Sequence, residues 1–242
     1  MKFLVSKKLE NIIKSIVYKD KPFVMDIDDV ILDFKDFFRE NLNESFDVNI
    51  SDGEIVVYDV YKLIPLKRKG IKKQDVFNAV RKMGKKSEFL NLSLNYGIEE
   101  TINYLINDGD YNNFFINTSR SKELYDNYKI ITYETLNRTG LKFNKYNVIF
   151  DSEKEHIAKA LGAVLFFEDN PMTALKIIKK NIPVILLNHE WNYKSLKDTY
   201  MLDNPELMEK YELIDELRKY EGDMLFRIDS FEDFSEYLST II

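Results

Sequence analysis

The chain has 242 residues, 45% of them hydrophobic, a net charge of −6 and no cysteine. That length fits one large domain or a core with a small insert, and that composition buries a sizeable core. The negative charge argues against a general nucleic-acid binder, and the lack of cysteine excludes disulfides, thiolate zinc sites and cysteine nucleophiles.

The N-terminal stretch, MKFLVSKKLENIIKSIVYKDK, has no continuous apolar run and no small-residue cleavage site. Leu9, Ile12, Ile13 and Ile16 recur there at helical spacing. No run approaches the roughly 18 apolar residues of a membrane helix. The expectation is a soluble, cytoplasmic protein with no membrane partner.

Residues 23–34, FVMDIDDVILDF, begin as a buried strand over 23–27 and then place Asp26, Asp28 and Asp29 among apolar neighbours. A carboxylate is costly to bury unless something pairs with it. Residues 35–97 read as mostly helical, with a strand over 55–57, and separate the first strand from the next by far more than one helix. This stretch is expected to be a cap inserted over the first strand's end, with residues 1–34 and 98–242 forming the core. It holds nine Lys or Arg and one acid between Lys67 and Lys86. Such a run is most simply a solvated helix face; laid over a pocket, it would steer phosphate inward.

Beyond the cap, apolar runs over 114–117, 148–150, 164–167, 184–187 and 224–228 read as strands. Helical periodicity falls between or after them, over 98–106, 124–136, 155–161, 172–179 and 231–238, with an added helical segment in 192–222. Alternating strands and helices predict an α/β fold, a Rossmann-like parallel sheet with helices on both faces. In such sheets ligands bind at the carboxyl ends of the strands.

Those ends deliver a set of chemical groups in order. The first gives Asp26, Asp28 and Asp29; the second gives Asn117, Thr118, Ser119 and Arg120; after the third comes Lys154; the fourth gives Glu168, Asp169 and Asn170 before Pro171. The set suits phosphoryl transfer. A carboxylate can attack phosphorus to give an aspartyl-phosphate. Mg²⁺ takes oxygen ligands from one or two carboxylates and the substrate phosphate, and Asp26 with Glu168 or Asp169 can hold it. A second acid must protonate the leaving oxygen and later activate water. Asp28, two residues beyond Asp26, falls on the same side by strand alternation. Thr118 can donate to a phosphoryl oxygen, with Ser119 competing for the role; Lys154 can neutralise its charge, with Lys159 as competitor.

The motifs resemble those of the haloacid dehalogenase superfamily of phosphatases. DIDDVILD resembles its first motif, DxDx(V/T); INTSR resembles the second, EKEHIAKALG the third and LFFEDNP the fourth. Four in order, each after a predicted strand, are specific where one alone is not. Within the superfamily the resemblance is strongest to the type C 5'(3')-deoxyribonucleotidases and their bacterial relatives, through the DDV form of the first motif, KEHIAKALGAVLFFEDNP and IPVILLNHEWN. It implies a helical cap, Mg²⁺ and hydrolysis of a small phosphorylated substrate, a nucleoside monophosphate. It makes Asp26 the nucleophile and Asp28 the general acid/base, with Asp28 also touching the metal through its carbonyl. Thr118, Ser119 and Lys154 would bind phosphate, and Glu168 or Asp169 would complete the metal site.

Other readings compete. A calcium loop would place glycine and glutamate where Ile31 and Phe37 stand. Glu168, Asp169 or Thr118 could simply cap helices. His156 and His189 share no ligand-like spacing. Tyr58 and Tyr61 are candidates to stack on a base, and Trp191 reads as packing. A phosphatase of sugar phosphates or nucleic-acid ends is the alternative enzyme, and a non-catalytic nucleotide-binding module is the alternative from another class. No stable nucleic-acid partner is expected.

Overall fold

The computed structural model describes residues 6–51, 63–106, 109–189, 192 and 205–242. Six parallel strands form one sheet in the order β3-β2-β1-β4-β5-β6. They are β1 (Phe23–Met25), β2 (Phe114–Thr118), β3 (Val148–Phe150), β4 (Leu165–Glu168), β5 (Val184–Leu187) and β6 (Leu225–Ile228). β1 pairs with both β2 and β4, so the strand order reverses beside it. That reversal is the topological switch point at which open α/β sheets bind ligands.

Strand alternation sorts the apolar residues onto two faces. Phe23, Met25, Leu165, Phe167, Ile185, Leu187, Phe226 and Ile228 belong to one core. It also takes in Leu9, Ile13, Ile16 and Val17 of α1 (Lys7–Lys19), residues of α5 (Ile98–Leu105), and Phe231, Phe234 and Leu238 of the C-terminal helix Phe231–Ile241. The intervening Val24, Phe166, Val184, Leu186 and Leu225 belong to a second core. This one is closed by α7 (Lys154–Leu161), α8 (Pro171–Ile178) and Leu217 of the helix Pro205–Arg218. Both faces are covered, which explains why the strands read as unbroken apolar runs.

The chain leaves the sheet after β1 and returns beside its own exit. Asp33 N donates to Ser93 O at 3.0 Å, and Asn95 N donates to Ile31 O at 2.9 Å. Between them lie α2 (Lys35–Phe46), α3 (Ile64–Arg68) and α4 (Lys73–Met83). Leu42, Ile50, Leu63, Leu66, Val76, Ala79 and Met83 give this stretch an apolar cluster of its own. The strand expected over 55–57 lies outside the described residues, as do Tyr58, Tyr61 and Trp191.

The expected helix over 124–136 starts later, as α6 (Tyr128–Arg138). Leu124 N and Tyr125 N donate to Ser121 O, and this turn takes up the residues before it. Of the added segment over 192–222, the helix Pro205–Arg218 is observed, while 193–204 lie outside the described residues. Among the described residues, no helix is long and apolar enough to cross a membrane.

Candidate active site

The carboxyl end of β1 continues its pairing for one residue: Asp26 N donates to Phe167 O at 3.0 Å. The chain then turns tightly, with Ile31 N and Leu32 N both donating to Ile27 O and Asp29 at φ 60°. Asp29 has a structural task that the sequence does not announce. Its Oδ1 accepts from Phe34 N at 3.1 Å and Lys35 N at 2.7 Å, satisfying donors at the start of α2. Burial, with the Asp28 charge adding to it, pushes its carboxyl up to about 8.

Lys154 is the first residue of α7, where the helix dipole disfavours a cation. Two carboxylates offset that: its Nζ lies 2.7 Å from Asp26 Oδ2 and 3.0 Å from Glu168 Oε2. All three residues are buried. Its competitor Lys159 is exposed. At the end of β2, Thr118 is buried and Ser119 exposed. Thr118 Oγ1 accepts from Arg120 N at 3.2 Å, which leaves its own hydrogen to donate elsewhere.

The helix-cap reading of Glu168 and Asp169 gives way to their neighbour. Asn170 Oδ1 accepts from Met172 N and Thr173 N, and Pro171 takes the first turn of α8. The two acids therefore point to other tasks. Glu168 is engaged twice, by Lys154 and by Asn170 N at 3.2 Å. The Asp169 carboxylate makes no hydrogen bond or ion pair among the described residues, while its backbone oxygen accepts from the buried Asn192 at 2.7 Å.

Carboxylate oxygens of Asp26, Glu168 and Asp169 lie within 4.8 Å of one another. Burial pushes Asp26 up, opposed by Lys154 and assisted by Asp28. It pushes Glu168 up to about 7 against Lys154, and it raises Asp169 well above the carboxylate range. Three buried carboxylates against one ammonium leave the cluster short of positive charge. Buried charges are paired or coordinate metals. An all-oxygen donor set of this kind fits Mg²⁺.

All seven residues singled out by the sequence, Asp26, Asp28, Thr118, Ser119, Lys154, Glu168 and Asp169, line one cavity of about 270 Å³. Arg120 also lines it, although the sequence reading assigns it no role. Its Nε and Nη2 bind the two oxygens of Asp28 at 3.0 and 2.5 Å. The only hint was its place directly after Thr118 and Ser119 at a strand end. Phe34, Phe38, Val80, Leu124 and Tyr125 form the apolar wall of the cavity. None of the nine basic residues between Lys67 and Lys86 lines the cavity. Eight are exposed, and Lys69, Lys85 and Lys86 pair with Asp47, Asp126 and Glu44. The run is a solvated face.

No family model matches the chain. A Clostridium acetobutylicum protein named a nucleotidase is 25% identical over 174 residues, spanning 71% of this chain and 82% of that protein. Among solved structures, a hydrolase from Pseudomonas syringae superposes with a TM-score of 0.53 at 14% identity, over 92% of this chain and 99% of the other. A haloacid dehalogenase family hydrolase from Deinococcus radiodurans, with phosphate and sodium bound, also gives a TM-score of 0.53, at 11% identity over 91% and 96%. Likeness at such identities bears on the fold, and with the six parallel strands and their helices it shows that this chain has the Rossmann-like fold of the haloacid dehalogenase family hydrolases.

Proposed function

We propose that the protein is a Mg²⁺-dependent phosphomonoester hydrolase that works through an aspartyl-phosphate at Asp26, with a nucleoside monophosphate as substrate. The observation that supports it most is the Lys154 ammonium bridging Asp26 and Glu168 beside Asp169, at the switch point of the sheet. Such a cluster costs stability as a purely structural device. At a phosphate site it is a working arrangement.

In this reading an Asp26 oxygen attacks phosphorus while the bond to the leaving oxygen breaks. Asp28 gives that oxygen a proton and then takes one from the water that attacks the phospho-aspartate. The P–O bond to Asp26 breaks, inorganic phosphate leaves and the Asp26 carboxylate returns. Thr118 donates to a phosphoryl oxygen, Ser119 lies beside it at the cavity, and Lys154 offsets the charge there. Asp26, the Asp28 carbonyl and Asp169 would hold Mg²⁺, which supplies neutralising charge where two anions must meet. Asp169 is the better direct ligand because Glu168 is already held by Lys154 and Asn170.

Residues 35–97 act as the cap in this reading, supplying Phe34's neighbours Lys35 and Phe38 and the residue Val80 to the cavity. The apolar wall suits the flat ring of a base, and the name of the Clostridium relative points the same way. A mononucleotide substrate and a cysteine-free chain fit a cytoplasmic setting.

The test is hydrolysis of a panel of phosphate esters by the wild-type protein and Asp26→Asn. Nucleoside monophosphates should be turned over best, and the variant should be folded and inactive. Turnover by Asp26→Asn would remove Asp26 as nucleophile. A preference for sugar phosphates would move the substrate assignment and leave the chemistry in place.

A further inference from the structure

We propose that Arg120 is a positioning residue that fixes the aim of Asp28. The inference rests on the hydrolase reading of the site. The Arg120 side chain is 2% exposed and that of Asp28 is 27% exposed. The arginine is thus buried behind a carboxylate that reaches the cavity. Its fork meets both carboxylate oxygens, at 3.0 Å from Nε and 2.5 Å from Nη2. Two parallel contacts fix the plane of the carboxylate as well as its distance.

The guanidinium is itself held. Nη1 donates to Thr132 Oγ1 at 3.3 Å, on the buried side of α6. Its Cζ lies over the Phe89 ring, 4.8 Å from the ring centre. Phe89 in turn packs against Phe34, Phe37 and Tyr125. Asp28 needs this support because it lies beyond the last paired residue of β1, in a turn whose backbone bonds hold Ile27, Asp29, Ile31 and Leu32. The carboxylate's direction is therefore set from across the cavity, 92 residues away in sequence.

A phosphate-binding role for Arg120 is the natural competitor. It fits less well, because the arginine's exposed edge is occupied by Asp28 and its far nitrogen by Thr132. The two roles predict different kinetics. Loss of a phosphate contact weakens substrate and inorganic phosphate together. Loss of aim lowers kcat and leaves binding alone.

The experiment compares wild type, Asp28→Asn, Arg120→Lys and the double variant on para-nitrophenyl phosphate and a nucleoside monophosphate. Lysine keeps the charge and loses the fork. Arg120→Lys should lower kcat by about tenfold to a hundredfold, the scale of a misplaced group. KM and inhibition by inorganic phosphate should stay within about twofold, well under one tenfold step in binding. In the Asp28→Asn background the same change should cost less than about twofold, because residues acting as a unit are not additive.

An equal loss in both backgrounds, or a rise in KM and weaker phosphate inhibition, overturns the proposal. So does unchanged kcat. If Arg120→Lys does not fold, Thr132→Val, close in shape, should show the same pattern on a smaller scale; wild-type kcat in that variant overturns the proposal. Failure of the hydrolase reading is seen separately, as a wild-type protein that turns over neither ester.

Discussion

The floor and the wall of the cavity are built by opposite rules. The floor is polar and mostly buried, and its groups hold one another: Lys154 touches Asp26 and Glu168, Arg120 touches Asp28, and Asn192 holds the backbone of Asp169. Asp26, Asp28, Arg120, Glu168 and Asp169 sit at or within three residues of the end of a parallel strand, so the sheet sets their position, while Lys154 opens the helix that follows β3. The wall is apolar: Phe34, Phe38 and Val80 come from the stretch that leaves the sheet after β1, and Leu124 and Tyr125 from the turn that follows β2. The helices of the stretch after β1 have an apolar cluster of their own. The contrast separates two tasks. Under the proposed function, the core would fix what reacts at the floor, and the stretch after β1 together with the turn after β2 would set what is admitted beside the wall.

The sharpest way to break that division is Lys154→Met. The side chain fits the space and loses the charge. Asp26 and Glu168 then face each other without a cation, and turnover should fall about a hundredfold or more, as when a transition-state donor is lost. Lys159→Met, on the exposed side of the same helix, should stay near wild type. Equal effects of the two, measured as kcat/KM, would mean that the floor is not where the reaction occurs.

The floor was legible in the sequence because its residues sit on short strands with strong apolar signals. Asp26, Thr118, Lys154 and Glu168 each fall within one residue of a strand or helix end. What was not legible arises from contacts between distant segments. Nothing near Arg120 announces Asp28, and nothing near Asp29 shows that it serves Phe34 and Lys35 rather than a ligand. The choice of Asn170 over Asp169 as helix cap is equally a matter of side-chain direction. The late start of α6 has a local cause, since Ser121 closes a turn that periodicity does not register. The basic run was visible as charge, and only the fold shows that it faces solvent away from the cavity lining.

A second test moves the floor's stability rather than its rate. Burial raises Glu168 from its ordinary value of 4.5 to about 7. A raised folded-state value means the neutral form is favoured in the fold. Its contribution to stability is full below about pH 4.5, and it is lost as pH rises through about 7. In chelator, the wild-type protein should therefore lose stability across that window, by on the order of a few kcal/mol from this group. Glu168→Gln carries no titrating proton and should show a shallower loss between about pH 5 and pH 7. Mg²⁺ held as proposed would bind the ionised cluster, so its stabilisation should grow as pH rises over the same range. Thermal melts with and without Mg²⁺ at several pH values measure both effects. A wild-type slope equal to that of Glu168→Gln would show that Glu168 does not ionise in that window.

The smallest expected effect belongs to the wall. Phe34 and Phe38 are half-buried, with ring centres 5.5 Å apart and planes at 29°, and both line the cavity. A base resting on Phe38 would gain about 0.5–1.5 kcal/mol from ring contact. Phe38→Ala should then raise KM for a nucleoside monophosphate by up to about tenfold, since 1.4 kcal/mol is one factor of ten in binding. For para-nitrophenyl phosphate the rise should be smaller, because its single small ring reaches less of the wall. kcat should hold for both, since the floor is untouched. Phe38→Leu keeps the apolar packing and removes only the flat ring, so it separates stacking from loss of the wall. A uniform fall in kcat for both esters, with KM unchanged, would mean that Phe38 supports the floor through α2 and Asp29, and the division between floor and wall would fail at that residue.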